Sequence, residues 1–235
     1  MTWFVQMKTD NKTSSFNFYI DDMRLSISKG NTKLGKIPNF SLPPLVSCFP
    51  NIPCRDACYA IPTYKMYAAT RKQWDDNFTT TKTLIADGYK HLLFNMFLEF
   101  MNKFNPPYFR IAVSGDFRII NDDMTRDYIN VWRNVAEHTP ETKYLVFTKA
   151  PAKFHIPKLP NLKRIWSAWN GAKVRNDLDG IAWYKNMQTP DKRIPRDALP
   201  CAGACHDCMA CWVIENAPSK SVYFEDHNPW TRNKK

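Results

Sequence analysis

Tyr108-Phe-Arg-Ile-Ala-Val-Ser-Gly-Asp116 decides how this chain is read. It is a short, mostly apolar run that stops on Gly-Asp, the pattern of a buried strand opening into a loop at its carboxyl end. Asn105-Pro-Pro107 ends the segment before it, because proline offers no amide donor and restricts the residue ahead of it. Downstream, Met124 to Glu137 carries Tyr128, Val131, Trp132 and Val135 at helical spacing. Lys143 to Thr148 then returns to an apolar strand pattern, and Leu162 to Trp169 reads as a third strand. Strand, helix, strand in that order requires right-handed parallel crossovers, and hence a parallel sheet covered by helices on at least one face. The expected class is α/β: a partial, open βα barrel with a parallel sheet, an amino-terminal hairpin and a cysteine-rich carboxyl-terminal lobe. Residues 1–200 are expected to form the α/β domain, with 201–235 a cysteine-rich segment packed on it.

Upstream, residues 3–28 alternate loosely, and Phe16 to Ile20 and Met23 to Ser28 predict two strands turning at Asp21-Asp22. Lys29 to Lys36 is a basic, turn-rich stretch, read as a solvated connector in preference to a phosphate contact. Tyr59 to Asn77 predicts one helix starting after Pro62-Thr63, its amino end toward the preceding loop. Thr79 to Lys103 predicts another, whose stripe of Leu84, Ile85, Tyr89, Leu92, Leu93, Met96, Phe97 and Phe100 is core. His91 on that helix reads as structural. Gly171 to Pro200 predicts a long loop with a short helix over 180–187, and Ser221 to Glu225 a strand that closes the sheet or lies beside the hairpin. Asp226 and His227 follow with no partner legible in the sequence.

The chemistry concentrates in seven cysteines. Cys48, Cys54 and Cys58 share a loop stiffened by Pro50 and Pro53, which hold the backbone out of helix around the sulfurs. Cys201, Cys205, Cys208 and Cys211 follow one another at gaps of three, two and two residues. Such a compact run resembles the cluster-binding loops of bacterial ferredoxins, although no proline follows. Zinc is the rival metal, but closed zinc sites usually draw on two separated pairs, and one short run crowds a tetrahedron. The residues therefore point to 4Fe-4S clusters, either a four-cysteine site plus an open three-cysteine site, or one cluster held from both ends of the chain. His206, inside the run, is expected to bond outward. Ser114, Gly115, Asp116, Thr148, Lys149, Ser167 and Asn170 fall at or beyond strand ends, where the chemistry of α/β folds gathers, and are expected to converge on one pocket.

Composition narrows the setting. A chain of 235 residues can bury one sizeable core, and seventeen prolines against seven glycines suit fixed loops. A net charge of +11 suits an anionic partner such as nucleic acid. Lysines and arginines interleave with aromatics at Tyr64 to Tyr67, Arg71 to Trp74 and Trp166 to Trp169, a pattern that can combine charge neutralisation with base stacking, though core aromatics beside a solvated charged face are the favoured reading. The opening residues lack the apolar core of a signal peptide and no stretch is long enough for a membrane helix, so a cytoplasmic protein with no membrane partner is expected. An odd number of clustered cysteines fits metal ligands in a reducing compartment better than disulfides. Gly-x-Ser-x-Gly, Walker-type and His-Glu-x-x-His motifs are all missing.

Several stretches together resemble the phage "gene product eighty-eight" family: Lys33-Leu-Gly-Lys-Ile-Pro-Asn-Phe-Ser-Leu-Pro43, the Cys48/Cys54/Cys58-Tyr-Ala loop, Val113-Ser-Gly-Asp-Phe117, Phe147-Thr-Lys149, Trp166-Ser167 and the run ending Cys211-Trp212. The likeness implies a viral protein acting in the cytoplasm of an infected host cell. More distantly, three cysteines entering a helix, with a following strand ending in Ser-Gly-Asp, are similar to radical S-adenosylmethionine enzymes. That likeness implies Cys48, Cys54 and Cys58 as ligands of a 4Fe-4S cluster with an open iron for one-electron chemistry, and Ser114, Gly115 and Asp116 as the contact for the cofactor's amino group. The gaps here are five and three residues where that family has three and two. The alternative is a phage nucleic-acid-binding protein whose iron-sulfur or zinc site is structural.

Overall fold

The computed structural model of the chain describes residues 5–8, 14–186 and 191–225. Asp226, His227 and the tail from Thr231 lie outside the described residues. The amino-terminal strands β1 (Val5–Lys8), β2 (Ser15–Ile20) and β3 (Met23–Ser28) run antiparallel, with the β2–β3 hairpin turning at Asp21-Asp22. Asp21 supplies the positive φ (+52°) that such a tight turn requires. From β4 (Asn39–Phe40) onward the strands are parallel: β5 (Tyr108–Ile111), β6 (Lys143–Thr148), β7 (Leu162–Ala168) and β8 (Gly180–Lys185) lie side by side in chain order. The carboxyl-terminal strand β10 (Ser221–Glu225) inserts between β8 and the two-residue β9 (Leu199–Pro200), parallel to both. The ten-stranded sheet is open, with β1 and β9 as its edges. The architecture is thus α/β with a mostly parallel sheet and an amino-terminal hairpin.

Four helices connect the strands: α1 (Ala60–Met66), α2 (Ala68–Ala86), α3 (Lys90–Phe104) and α4 (Asp122–His138). In α4 the Asn121 side chain accepts from Met124 N–H as an N-cap, and Asp122 and Asp123 follow in the first turn, where acidic groups suit the helix dipole. Leu93, Met96, Phe97 and Phe100 of α3 and Tyr128, Val131, Trp132 and Val135 of α4 bury against Phe40, Phe109, Ile111, Tyr144 and Val146 of the sheet. Trp132 is the hub, 4.2 Å between ring centroids from Phe97 and 5.6 Å from Phe109. Burial of side chains of this size is the main source of stability. Fully buried Asn77 of α2 locks the helix to the sheet, accepting from Ser26 N–H (2.7 Å) and donating to the carbonyls of Ser26 and Ser41 (3.0 Å each).

The opposite face is covered by the chain between β9 and β10: one helical turn, α5 (Cys205–Cys208), and a 3-10 stretch, Ala210–Asn216. Trp212, Ile214 and Ala217 bury there against Leu145, Ile165, Ala182 and Val222.

Four expectations about elements are corrected. The single helix over Tyr59 to Asn77 is two, broken where Tyr67 turns extended (φ −106°, ψ 100°), and it begins before Pro62, whose missing donor is harmless in a first turn. The next helical stripe breaks at Gly88, whose φ of +81° no regular helix permits. The helix expected over 180–187 is strand β8 in its described part, because pairing to β7 and β10 on both sides outweighs local preference. Gly180 is required there: a Cβ would sit 2.4 Å from the Ile214 side chain and 2.9 Å from the Lys220 carbonyl oxygen. The carboxyl-terminal strand neither closes the sheet nor reaches the hairpin. Among the described residues no helix is long and apolar enough to cross a membrane.

Candidate functional site

The three-cysteine loop leaves the carboxyl end of β4 and is tied to the carboxyl end of β5 by backbone. Ser47, fully buried, accepts at its carbonyl from the amides of Asp116 (3.2 Å) and Arg118 (3.1 Å), while its hydroxyl donates to the Pro43 carbonyl (2.7 Å). Gly115 (φ +76°) permits the approach, since a Cβ there would lie 2.1 Å from Ser47 Oγ. Leu45 (φ +67°) and Ala112 (φ +53°) also hold left-handed backbone, at a cost of about 1–2 kcal/mol each, and strain of this kind gathers at functional sites. Cys48 and Cys54 are buried and Cys58 half-buried. Burial pushes the Cys48 thiol up to about 12, with the Asp116 carboxylate adding to it. Burial also raises Cys54, but the Lys149 ammonium beside it pulls the other way.

Four of the strand-end residues, Asp116, Thr148, Lys149 and Ser167, are joined by hydrogen bonds. Asp116 is buried and accepts from Thr148 Oγ1 (2.8 and 3.1 Å), Lys149 N–H (2.9 Å) and Phe117 N–H (2.9 Å). Burial raises its pKa and these donors oppose the rise. Asp116 thus clamps the ends of β5 and β6 together. Lys149 Nζ donates to Ser167 Oγ (2.8 Å), lies over the Trp169 ring, and reaches toward Cys54. Ser114 is buried and its Oγ has no hydrogen-bond partner. Asn170 lies just beyond β7.

The four-cysteine segment is fixed at its first two cysteines: Cys201 N–H donates to the Tyr223 carbonyl and Cys205 N–H to the Lys33 carbonyl, both at 2.7 Å. The basic Lys29 to Lys36 stretch is therefore not a free connector. Asn31 caps the Lys33 and Leu34 amides, Leu34 and Ile37 are buried, and Gly35 packs under His206. His206 turns outward, toward the Lys33 carbonyl and Asp207. Burial pushes Cys211 up to about 12 and raises Cys205, while Arg110 opposes both shifts.

Arg110, in the middle of β5, is the residue the sequence reading passed over. It is 9 % exposed, lies 4.0 Å over the Phe147 ring, and has Tyr59, Cys205, Cys211 and Cys201 as its electrostatic neighbours. Tyr59 is 60 % exposed, yet its hydroxyl is tucked in against the Val113 carbonyl, beside Arg110 and the first three cysteines. That enclosure of the hydroxyl pushes its pKa up to about 12. The seven cysteines thus fall into a group of three that acts electrostatically on Tyr59 and a group of four whose Cys201, Cys205 and Cys211 act on Arg110, and Tyr59 and Arg110 act on each other. Among the described residues, no three His, Cys, Asp or Glu side chains meet closely enough to hold a single metal ion.

The aromatics proposed for base stacking are mostly occupied. Trp166 and Trp169 are buried, Trp169 stacking on Tyr184 at 4.0 Å, and Tyr64 stacks on buried Trp74 while donating to Asp75. No curated protein and no solved structure matches the chain. The family model described as Gene product 88 matches residues 21–214, more than four fifths of the chain, and the chain belongs to that phage-type family.

Proposed function

We propose that the protein is an iron-sulfur protein with two 4Fe-4S sites, one closed by Cys201, Cys205, Cys208 and Cys211, the other held by Cys48, Cys54 and Cys58 with one iron open to a small ligand. The observation that carries this is the separation of the cysteines into two groups, each with a cation beside it: Lys149 at the first and Arg110 at the second. Cluster-bound thiolates carry net negative charge, which these cations offset. A four-iron cluster takes each thiolate on a different iron, so its ligands need not meet at one point as those of zinc do.

The three-cysteine loop follows the first parallel strand, and the Ser114-Gly115-Asp116 turn follows the next. This is the order that the likeness to radical S-adenosylmethionine enzymes implies, and it favours S-adenosylmethionine as the ligand and the open sheet as a partial barrel. The family match does not bear on this step. When bound, an open cluster supplies one-electron chemistry. Within the chain, Asp116 holds Thr148 and Lys149 in place; the Lys149 ammonium lies beside Cys54, and the buried Ser114 hydroxyl has no partner. Protein purified without oxygen is expected to hold about eight irons and as many acid-labile sulfides per chain. S-adenosylmethionine is expected to alter the electron paramagnetic resonance signal of the reduced wild type, but not of Cys58→Ala. Zinc without sulfide overturns the assignment, and a signal indifferent to S-adenosylmethionine overturns the choice of ligand.

A second reading, nucleic-acid binding, draws on one exposed strip, where Tyr59, Met66 and Tyr67 stand beside Lys65, Arg71 and Lys72. Salt-sensitive retention of labelled DNA or RNA, weakened by Tyr67→Ala, is its test.

A further inference from the structure

On the cysteine-covered face of the sheet, two neighbouring strand residues carry buried donors with nothing to donate to, and Trp212 Nε1 of the covering segment is a third. Asn39 of β4 and Arg110 of β5 are paired in register, so their side chains leave the sheet on the same side. On that side, Tyr108 and Phe147 pack with Cys205, Cys211 and Trp212. Asn39 is 4 % exposed, and Asn39 Nδ2 and Arg110 Nε both lack an acceptor. The Phe147 ring supports the guanidinium but supplies no counter-charge, and none of the ion pairs among the described residues includes it. A cation buried without an anion is strongly disfavoured. Two such donors side by side, against a segment carrying four thiols, call for an anionic acceptor.

We propose that Asn39 and Arg110 are the donor pair of the four-cysteine site, their N–H groups directed to the sulfur atoms of the anionic group that Cys201, Cys205, Cys208 and Cys211 hold. The identity of that group rests on the iron-sulfur reading above. Its charge does not, since thiolates on any metal present the same acceptors. Hydrogen bonds to sulfur and a nearby cation favour the more negative, reduced form of a cluster and so raise its reduction potential. The pair is a tuning and positioning device, with no contact to a substrate implied.

The test uses the full chain carrying Cys48→Ala, Cys54→Ala and Cys58→Ala, so that only the four-cysteine site reports. Arg110→Met is expected to shift the one-electron equilibrium about tenfold toward the oxidised form, ~59 mV. Asn39→Leu is expected to shift it about threefold in the same direction, with Arg110→Lys, which keeps the charge and loses Nε, between the parent and Arg110→Met. Potentials unchanged in all three variants overturn the inference. The second readout is the thermal midpoint of the unaltered chain as purified. Arg110→Met lowers it if an anion meets the guanidinium, and raises it if the guanidinium is a buried charge alone, which overturns the inference whatever metal is bound. A lowered midpoint in a protein holding zinc keeps the donor pair while overturning the iron-sulfur reading.

Discussion

On the helix-covered face of the sheet, β5 and β6 present Phe109, Ile111, Tyr144 and Val146, all fully or nearly fully buried among helix side chains. On the other face the same two strands present Tyr108, Arg110, Leu145 and Phe147, with Asn39 beside Arg110. The first face is held by apolar area, which needs nothing beyond the chain. The second joins a smaller apolar patch to buried donors and a covering segment of a few short helical turns rich in cysteine. That segment buries Trp212, Ile214 and Ala217 but is built of single helical turns with little regular backbone pairing, and a metal group held by its cysteines would convert ligation into folding energy. The two faces should therefore fail separately.

Loss of the proposed metal group should have the largest effect. Structural metal sites supply on the order of 10 kcal/mol, so Cys211→Ser is expected to strip amide-exchange protection from Ala210 to Asn216, β8 and β10 while α3 and α4 stay protected. Equal loss on both faces would contradict the division. Trp132→Ala acts on the other face and should cost about 3–5 kcal/mol in urea unfolding, with iron content per folded chain unchanged. Asn77→Ala removes three buried hydrogen bonds that pin α2 to β3 and to the start of the cysteine loop. A cost of about 2–3 kcal/mol is expected, and a loss under about 1 kcal/mol would show that the lock is incidental.

The smallest effect is on pH dependence. Burial raises Asp116 in the folded chain, so its contribution to stability is complete below the unfolded carboxyl pKa, near 3.9, and is lost as pH rises through the folded value. Asp116→Asn should flatten that part of the stability profile, and an unaltered slope would assign it to other groups.

What was legible in the sequence follows the same division. β6 lies where its apolar run is, and the hairpin turns where two aspartates interrupt an alternating pattern, because both signals are local. Strand β8 was missed because its state is set by neighbours from two distant parts of the chain. The cysteines declared themselves by spacing. Arg110 stood in the deciding stretch itself, a charge inside an apolar strand, but periodicity treats one charge as noise. Its significance appears only with Asn39, brought alongside by pairing across more than sixty residues of intervening chain.

The central claim is that two separate cysteine groups each hold a cluster, and iron counting in paired variants tests it most directly. Oxygen-free preparations of wild type, of Cys48/Cys54/Cys58→Ala and of Cys201/Cys205/Cys208/Cys211→Ala are compared for iron and sulfide per folded chain. The account predicts about eight irons in the wild type and about four in whichever variant keeps one group. Loss of all iron from both variants would show one shared cluster, and iron absent from the wild type would contradict the account outright.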